Sequence, residues 1–217
     1  MPPCYVCQVS NTDYDAWLVD LDGTLYHALG VKLAMASELA AASLLDGFRT
    51  ARLLRRFRHE HEALRQNPEL LADLQTTPYH RQLERASEAC EVTTAELQDR
   101  VERWMLDRPG KWIRAFRRRR LLAEIRTFRA AGGQTALVTD YPASAKLNAL
   151  GAASLFDEIL ANGEDDRIRT LKPSPETFLL AAKLLGVDPQ RCLVLGDRDD
   201  ADGEAARRAG MAFRKIP

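Results

Sequence analysis

Cysteine is scarce in this chain, with four residues in 217 at positions 4, 7, 90 and 192. That is too few for the disulfide framework of a chain this long. Cys4 and Cys7 form a C-x-x-C, but no second such pair and no histidine pair completes a zinc site, so the motif reads as incidental to a terminal tail. No run approaches the roughly 20 apolar residues that cross a bilayer. The opening Met1-Pro2-Pro3-Cys4 also lacks the basic and then apolar order of a signal peptide. The expected location is cytoplasmic, with no membrane partner. An excess of charge is missing too, since 31 Lys and Arg balance 31 Asp and Glu. A neutral chain has no whole-protein field to draw in nucleic acid, so any attraction for anions must be local.

What the sequence does hold is enough apolar material, 46% of residues, to bury the core of one domain or of one domain carrying an insertion. Three short apolar runs stop abruptly at polar residues: Ala16-Trp17-Leu18-Val19 before Asp20, Thr135-Ala136-Leu137-Val138 before Thr139, and Cys192-Leu193-Val194-Leu195 before Gly196-Asp197. Each predicts a strand buried on both faces, and Glu158-Ile159-Leu160-Ala161 is a weaker fourth. Helical stretches separate them. One runs from Ser174-Pro175 to Gly186 with Phe178, Ala182 and Leu185 in register; another carries Leu121, Ile125 and Phe128 and ends at Gly132-Gly133; a third begins near Ala143 and stops at Gly151. Alternating strands and helices imply crossover connections, hence an α/β fold with a doubly wound parallel sheet.

The character changes between residues 28 and 112, where the periodicity is helical throughout. Leu97, Val101, Trp104 and Met105 mark one buried helix face, and Leu53, Phe57 and Leu64 mark another. The expected organisation is a Rossmann-like core of residues 1–27 and 113–217, interrupted by an all-helical unit of residues 28–112 that returns through Asp107-Arg108-Pro109-Gly110. Arg49, Arg52, Arg55, Arg56 and Arg58 spread around the second of these helices and read as a solvated face paired with Glu60 and Glu62. Arg117 to Arg120 reads likewise as a solvated stretch.

In open α/β sheets, ligands sit at the carboxyl ends of the strands. Asp20, Thr139 and Asp197 therefore converge on one crevice. Clustered carboxylates repel one another unless a cation joins them, and a hard divalent ion resolves the conflict.

Asp20-Leu21-Asp22-Gly23-Thr24-Leu25 resembles the first motif of haloacid dehalogenase-type phosphatases. The later motifs follow in order: Thr139 behind a strand, Lys172-Pro173-Ser174-Pro175-Glu176 opening a helix, and Gly196-Asp197 with Asp202 beyond. The resemblance implies a Rossmann-like core with a helical cap inserted after the first motif, and a phosphatase acting on a small phosphorylated metabolite. It also implies roles. Asp20 is the nucleophile and Asp22 the general acid and base. Thr139, Asp140 and Lys172 bind the phosphoryl group. Asp20, Asp197 and the backbone carbonyl of Asp22 hold Mg2+, with Asp202 in the outer shell. Thr139 is followed by Asp140-Tyr141-Pro142 where many relatives carry asparagine, and Asp199 and Asp200 offer competing acids near Asp202. Asp22 favours phosphate esters over organohalides, because a halide leaves without a proton and an alkoxide does not. The alternatives are a phosphomutase, which passes the same phosphoryl group to a sugar hydroxyl, and a silent binding module that has kept the fold.

Overall fold

A computed structural model describes residues 13–72 and 75–217 of the chain. The cysteine pair at positions 4 and 7 lies outside the described residues. Five strands, β1 (Ala16–Val19), β2 (Gln134–Thr139), β3 (Glu158–Ala161), β4 (Cys192–Gly196) and β5 (Ala212–Lys215), form one sheet in the order β3-β2-β1-β4-β5. Every pairing is parallel. β1 is central because it is apolar on both faces, and all four of its residues are fully buried. Trp17 and Val19 point into one core with Leu137, Leu193 and Leu195, while Ala16 and Leu18 point into the other with Val138 and Val194.

β5 is the element that the apolar-run pattern omits. It is an edge strand carrying Arg214 and Lys215, and it is only partly buried, so it shows no apolar run to read.

Nine α-helices accompany the sheet among the described residues. Between β1 and β2 come α1 (Ala28–Asp46), α2 (Arg49–Gln66), α3 (Pro78–Ala89), α4 (Thr94–Val101), α5 (Gly110–Ala115) and α6 (Arg119–Ala130). Then follow α7 (Ser144–Leu150), α8 (Glu176–Leu185) and α9 (Glu204–Arg208). α6 and α7 cover one face of the sheet, and α8 and α9 cover the other. This is the doubly wound arrangement that parallel strands with crossover helices demand. Trp17 is stacked flat on Phe128 of α6, with ring centroids 4.2 Å apart and planes 7° apart.

The described elements within residues 28–112 are all helical, and they have a core of their own. Leu53, Leu54 and Phe57 of α2 pack with Tyr79, Leu83 and Ala86 of α3 and with Leu97 and Val101 of α4. Thr77 and Thr93 cap α3 and α4 by accepting from the amides of His80 and Glu96. After Val101 the helix widens into a π-turn over Glu102–Asp107, which buries Trp104 and leaves Met105 only partly covered. Pro109 immediately precedes α5, so the boundary expected at Trp112 falls inside a helix.

Arg49, Arg52, Arg55 and Arg58 of α2 are exposed, the solvated face expected of them, and Arg56 takes Glu60 as expected. Glu60 is 1% exposed and is held between Arg56 at 2.6 Å and Arg85 at 2.8 Å. Arg49 reaches across to Glu96, and Arg58 lines the crevice described below. Glu62 pairs instead with Arg65 of its own helix. A buried carboxylate demands partners, and Arg56 and Arg85, each still partly exposed, supply them.

Candidate active site

The register of the sheet brings distant residues together. Val19 pairs with Leu137 on one side and Leu195 on the other, so Asp20, Thr139 and Asp197 leave neighbouring strands at the same edge. The amide of Asp20 donates to the carbonyl of Leu195 at 2.9 Å, which fixes its backbone over the end of β4. Its carboxylate accepts from Thr24 Oγ1 at 2.9 Å and from Lys172 Nζ at 2.7 Å. Lys172 also donates to the carbonyl of Val138 at 2.9 Å and approaches Asp202 Oδ1 to 2.7 Å. That second approach is an ion-pair contact without hydrogen-bond alignment, and Asp202 Oδ1 is left buried with no hydrogen-bond partner.

Carboxylate oxygens of Asp20, Asp197 and Asp202 lie within 4.8 Å of one another. Two glycines make room for them. A Cβ on Gly23, which sits at φ +96°, meets Asp197 Oδ2 at 2.1 Å, and one on Gly196 meets Asp202 Cγ at 2.4 Å. Asp199 and Asp200 turn away instead, into ion pairs with Arg207 and Arg198. Burial pushes the Asp20 carboxyl up to about 8 against the pull of Lys172, and burial with Asp202 nearby raises Asp197. Lys172 goes the other way: burial disfavours its charge, but Asp20, Asp202 and Asp140 together keep it firmly protonated.

Three carboxylates served by a single ammonium leave a site that is short of positive charge. The donors are hard oxygens crowded around one ammonium, and a divalent cation with oxygen preference suits such a set.

Asp22 faces the same crevice with different neighbours. Lys146 Nζ donates to both of its oxygens at 2.7 and 2.6 Å, and the Tyr26 hydroxyl donates to one of them. Burial opposes its ionisation, yet Lys146, Tyr26 and Lys172 together hold its carboxyl below the ordinary range. The first and third residues of one motif thus sit in opposite electrostatic surroundings.

Thr139 is buried at the end of β2, and its hydroxyl accepts from the amide of Tyr141 at 3.4 Å. Asp140 takes the Lys172 amide at 3.3 Å, and burial raises its carboxyl. Three residues of the site are not singled out by sequence: Tyr26, Lys146 and Asn162. Asn162 follows β3, is fully buried, donates to the Asp140 carbonyl and accepts from the amide of Tyr79 on α3. It ties the loop after β2 to the helical unit, and an asparagine after a strand is the only signal for it.

The crevice has a volume of about 590 Å³. Its floor carries the acids and Lys172, and its far wall carries Met35, Arg58, His61 and Trp104 from the helical unit. His61 stacks on Tyr141 with centroids 4.6 Å apart, and its Nδ1 lies 3.3 Å from Gln82 Oε1. Burial lowers its pKa below the ordinary 6.5, against the pull of Asp140. An unfolded chain therefore binds a proton here that the folded one refuses, so His61 favours the folded state above about pH 6.5 and penalises it on acidification. Urea unfolding of wild type should show stability falling as the pH drops below about 6.5, and His61→Phe should flatten that slope while keeping the stack on Tyr141. An unchanged slope in the variant would mean that His61 is not buried neutral.

Comparison with known proteins agrees with this geometry. The family model for haloacid dehalogenase-like hydrolases matches residues 14–210. Over 69 residues the chain is 44% identical to the fructose-1-phosphate phosphatase YqaB of Escherichia coli (strain K12), a stretch covering 32% of this chain and 35% of that protein. The matched stretches thus span about a third of the length of the curated relatives. Among solved structures, the L-2-haloacid dehalogenase of Xanthobacter autotrophicus aligns with a TM-score of 0.63 at 18% identity, over 94% of this chain and 77% of that one. A HAD phosphatase from Thermococcus onnurineus aligns with a TM-score of 0.58 at 20% identity, over 94% and 86%. Likeness at such identities shows the fold.

Proposed function

We propose, from the premise that this chain belongs to the haloacid dehalogenase-like hydrolase family, that it is a magnesium-dependent phosphatase hydrolysing a small phosphate monoester through an aspartyl-phosphate on Asp20. The observation that carries the reading is the junction of Asp20, Lys172, Asp197 and Asp202 from well-separated parts of the chain, with Asp22 beside them. Phosphatase names among the curated relatives support the same chemistry.

Asp20 is the group placed to attack. One oxygen is held by Lys172 and the other by Thr24, so its orientation is set before substrate arrives. Attack on phosphorus forms the Asp20–phosphorus bond as the ester oxygen departs, and the acyl phosphate is then opened by water. Asp22 is two residues on and also faces the crevice. It delivers a proton to the departing alkoxide and recovers one from the attacking water. Held ionised by Lys146 in the resting site, it is ready for the second step, and substrate must weaken that pair for the first. Thr139 with the backbone beyond it binds the phosphoryl oxygens, and Lys172 offsets their negative charge. Mg2+, held by Asp20, Asp197 and the Asp22 carbonyl with Asp202 behind them, would supply charge neutralisation between nucleophile and phosphate.

Helices from residues 28–112 act as a cap in this reading. Arg65 of α2 lies 3.4 Å from Asp200 of the loop after β4, and Asn162 bridges to α3, so cap and core meet at the rim of the crevice. Closure there would exclude water from the acyl phosphate's surroundings until Asp22 activates one molecule.

Hydrolysis of an aryl phosphate tests the proposal. Activity is expected with magnesium, to fall by at least about 10²-fold on chelation, and to return when the ion is restored. Equal turnover in metal-free and magnesium-loaded protein would refute the metal-assisted reading.

A further inference from the structure

Many arginines of this chain are matched to a carboxylate. On α6 and beside it, Arg129 pairs with Asp157 and Glu124 is taken by Arg214. Four arginines nearby are not matched. Arg114 of α5, Arg117 of the turn that follows, and Arg119 and Arg126 of α6 line a second cleft, of about 450 Å³. Among the described residues, none of the four has a carboxylate oxygen within 4.0 Å. The opposite wall is the carboxyl end of α7, from Asn148 to Gly151, and no acidic residue lines the cleft. It shares no lining residue with the crevice that holds Asp20.

From this cleft we infer a binding site for an oligophosphate, a chain of two or three linked phosphoryl groups. Gathering four guanidinium groups around one hollow sets like charges against each other, and a multiply charged anion relieves that repulsion. Guanidinium forks match phosphate oxygens in pairs, so four of them serve more than one phosphoryl group. The carboxyl end of α7 opposes an anion with at most about half a negative charge, against four full positive charges, so the arginines decide the sign. Arg117 is already oriented, since its Nη1 donates to the Arg114 carbonyl at 2.9 Å.

The remaining lining selects among anions. Leu122, Ala149 and Leu150 are apolar, Asn148 is neutral, and no aromatic ring faces the hollow. Single-stranded nucleic acid is held largely by bases stacked on such rings. A site without one recognises the phosphate chain and is indifferent to what it carries.

Calorimetric titration of the full chain with inorganic triphosphate tests the site, in chelator and with excess orthophosphate to occupy the catalytic crevice. One-to-one binding is expected, at least about tenfold weaker in the Arg119→Ala, Arg126→Ala double variant. Adenosine triphosphate should bind within about threefold of inorganic triphosphate, because only the chain is read. Hydrolysis of an aryl phosphate should be unchanged in the double variant, since neither arginine lines the catalytic crevice. If that variant does not fold, Arg119→Lys with Arg126→Lys keeps the charge but loses the forks, and a measurable part of the affinity should go with them. The inference is overturned by absent binding, by complete displacement with orthophosphate, or by equal affinity in wild type and variants. It is also overturned if a short RNA binds far more tightly than triphosphate. The binding results are independent of whether the protein proves to be a phosphatase.

Discussion

Asp20→Asn is expected to lower hydrolysis of an aryl phosphate by at least about 10⁴-fold and to abolish covalent labelling, because an amide cannot act as the attacking carboxylate. Asp22→Asn should fail differently. An aryl leaving group needs little protonation, so transfer to Asp20 still proceeds, whereas the water of the second step has lost its base. The acyl phosphate should then accumulate, with a burst of aryl alcohol approaching one equivalent per site and a phosphate-sized mass increase on the peptide containing Asp20. The structure sharpens the contrast, because Asp20 is tied to Lys172 and Asp22 to Lys146. Removing the Asp22 carboxylate frees Lys146 without disturbing the Lys172 contact that orients Asp20. Rapid acid quench followed by peptide mass analysis of both variants decides the matter. A label in the Asp20→Asn protein, or on any other residue, would show that the nucleophile is wrongly assigned.

How much of the fold and site is legible in the sequence follows from where the physics is local. β1, β2 and β4 are buried on both faces, so each declares itself as an unbroken apolar run. An abrupt polar residue after a run marks the functional edge of a parallel sheet, which is why Asp20, Thr139 and Asp197 can be placed together. β5 is hidden because an edge strand buries too little to leave a pattern. Lys146 is hidden for a different reason. On sequence it is one lysine in the first turn of a helix, and only the packing of α7 against the sheet carries it to Asp22, 124 residues away in the chain. The arginines show the limit most clearly. Sequence lays them out as charge runs, but whether each finds a partner depends on distant acids: Glu96 for Arg49, Asp157 for Arg129, and, among the described residues, none near Arg114, Arg117, Arg119 or Arg126.

The heaviest structural consequence attaches to Lys172. It is 4% exposed and, among the described residues, is the one cation at hydrogen-bond or ion-pair distance from both Asp20 and Asp202, while its amide holds Asp140. Lys172→Met keeps most of the side-chain volume and strips the charge, leaving buried carboxylates to repel one another. Breaking a buried pair from one side typically costs about 3–5 kcal/mol, far more than losing a surface bridge. Protonation offers partial relief, since Asp20 and Asp140 already sit above the ordinary carboxylate range because of burial. The unfolded chain gives up those protons at lower pH than the folded variant does, so the destabilisation should deepen as the pH rises from about 5 to 8. Magnesium adds a second test. An ion held by Asp20 and Asp197 with Asp202 behind them would replace part of the missing positive charge, so the variant should gain more stability from added magnesium than wild type does. Turnover should not recover with it, because on the proposed mechanism Lys172 would offset the charge of the phosphoryl group from its own position, and a loss of at least about 10²-fold is expected to persist. Urea unfolding with and without magnesium across that pH range, beside steady-state rates, measures all three. A variant as stable as wild type at pH 8 without metal would show that the carboxylates are not held together by Lys172.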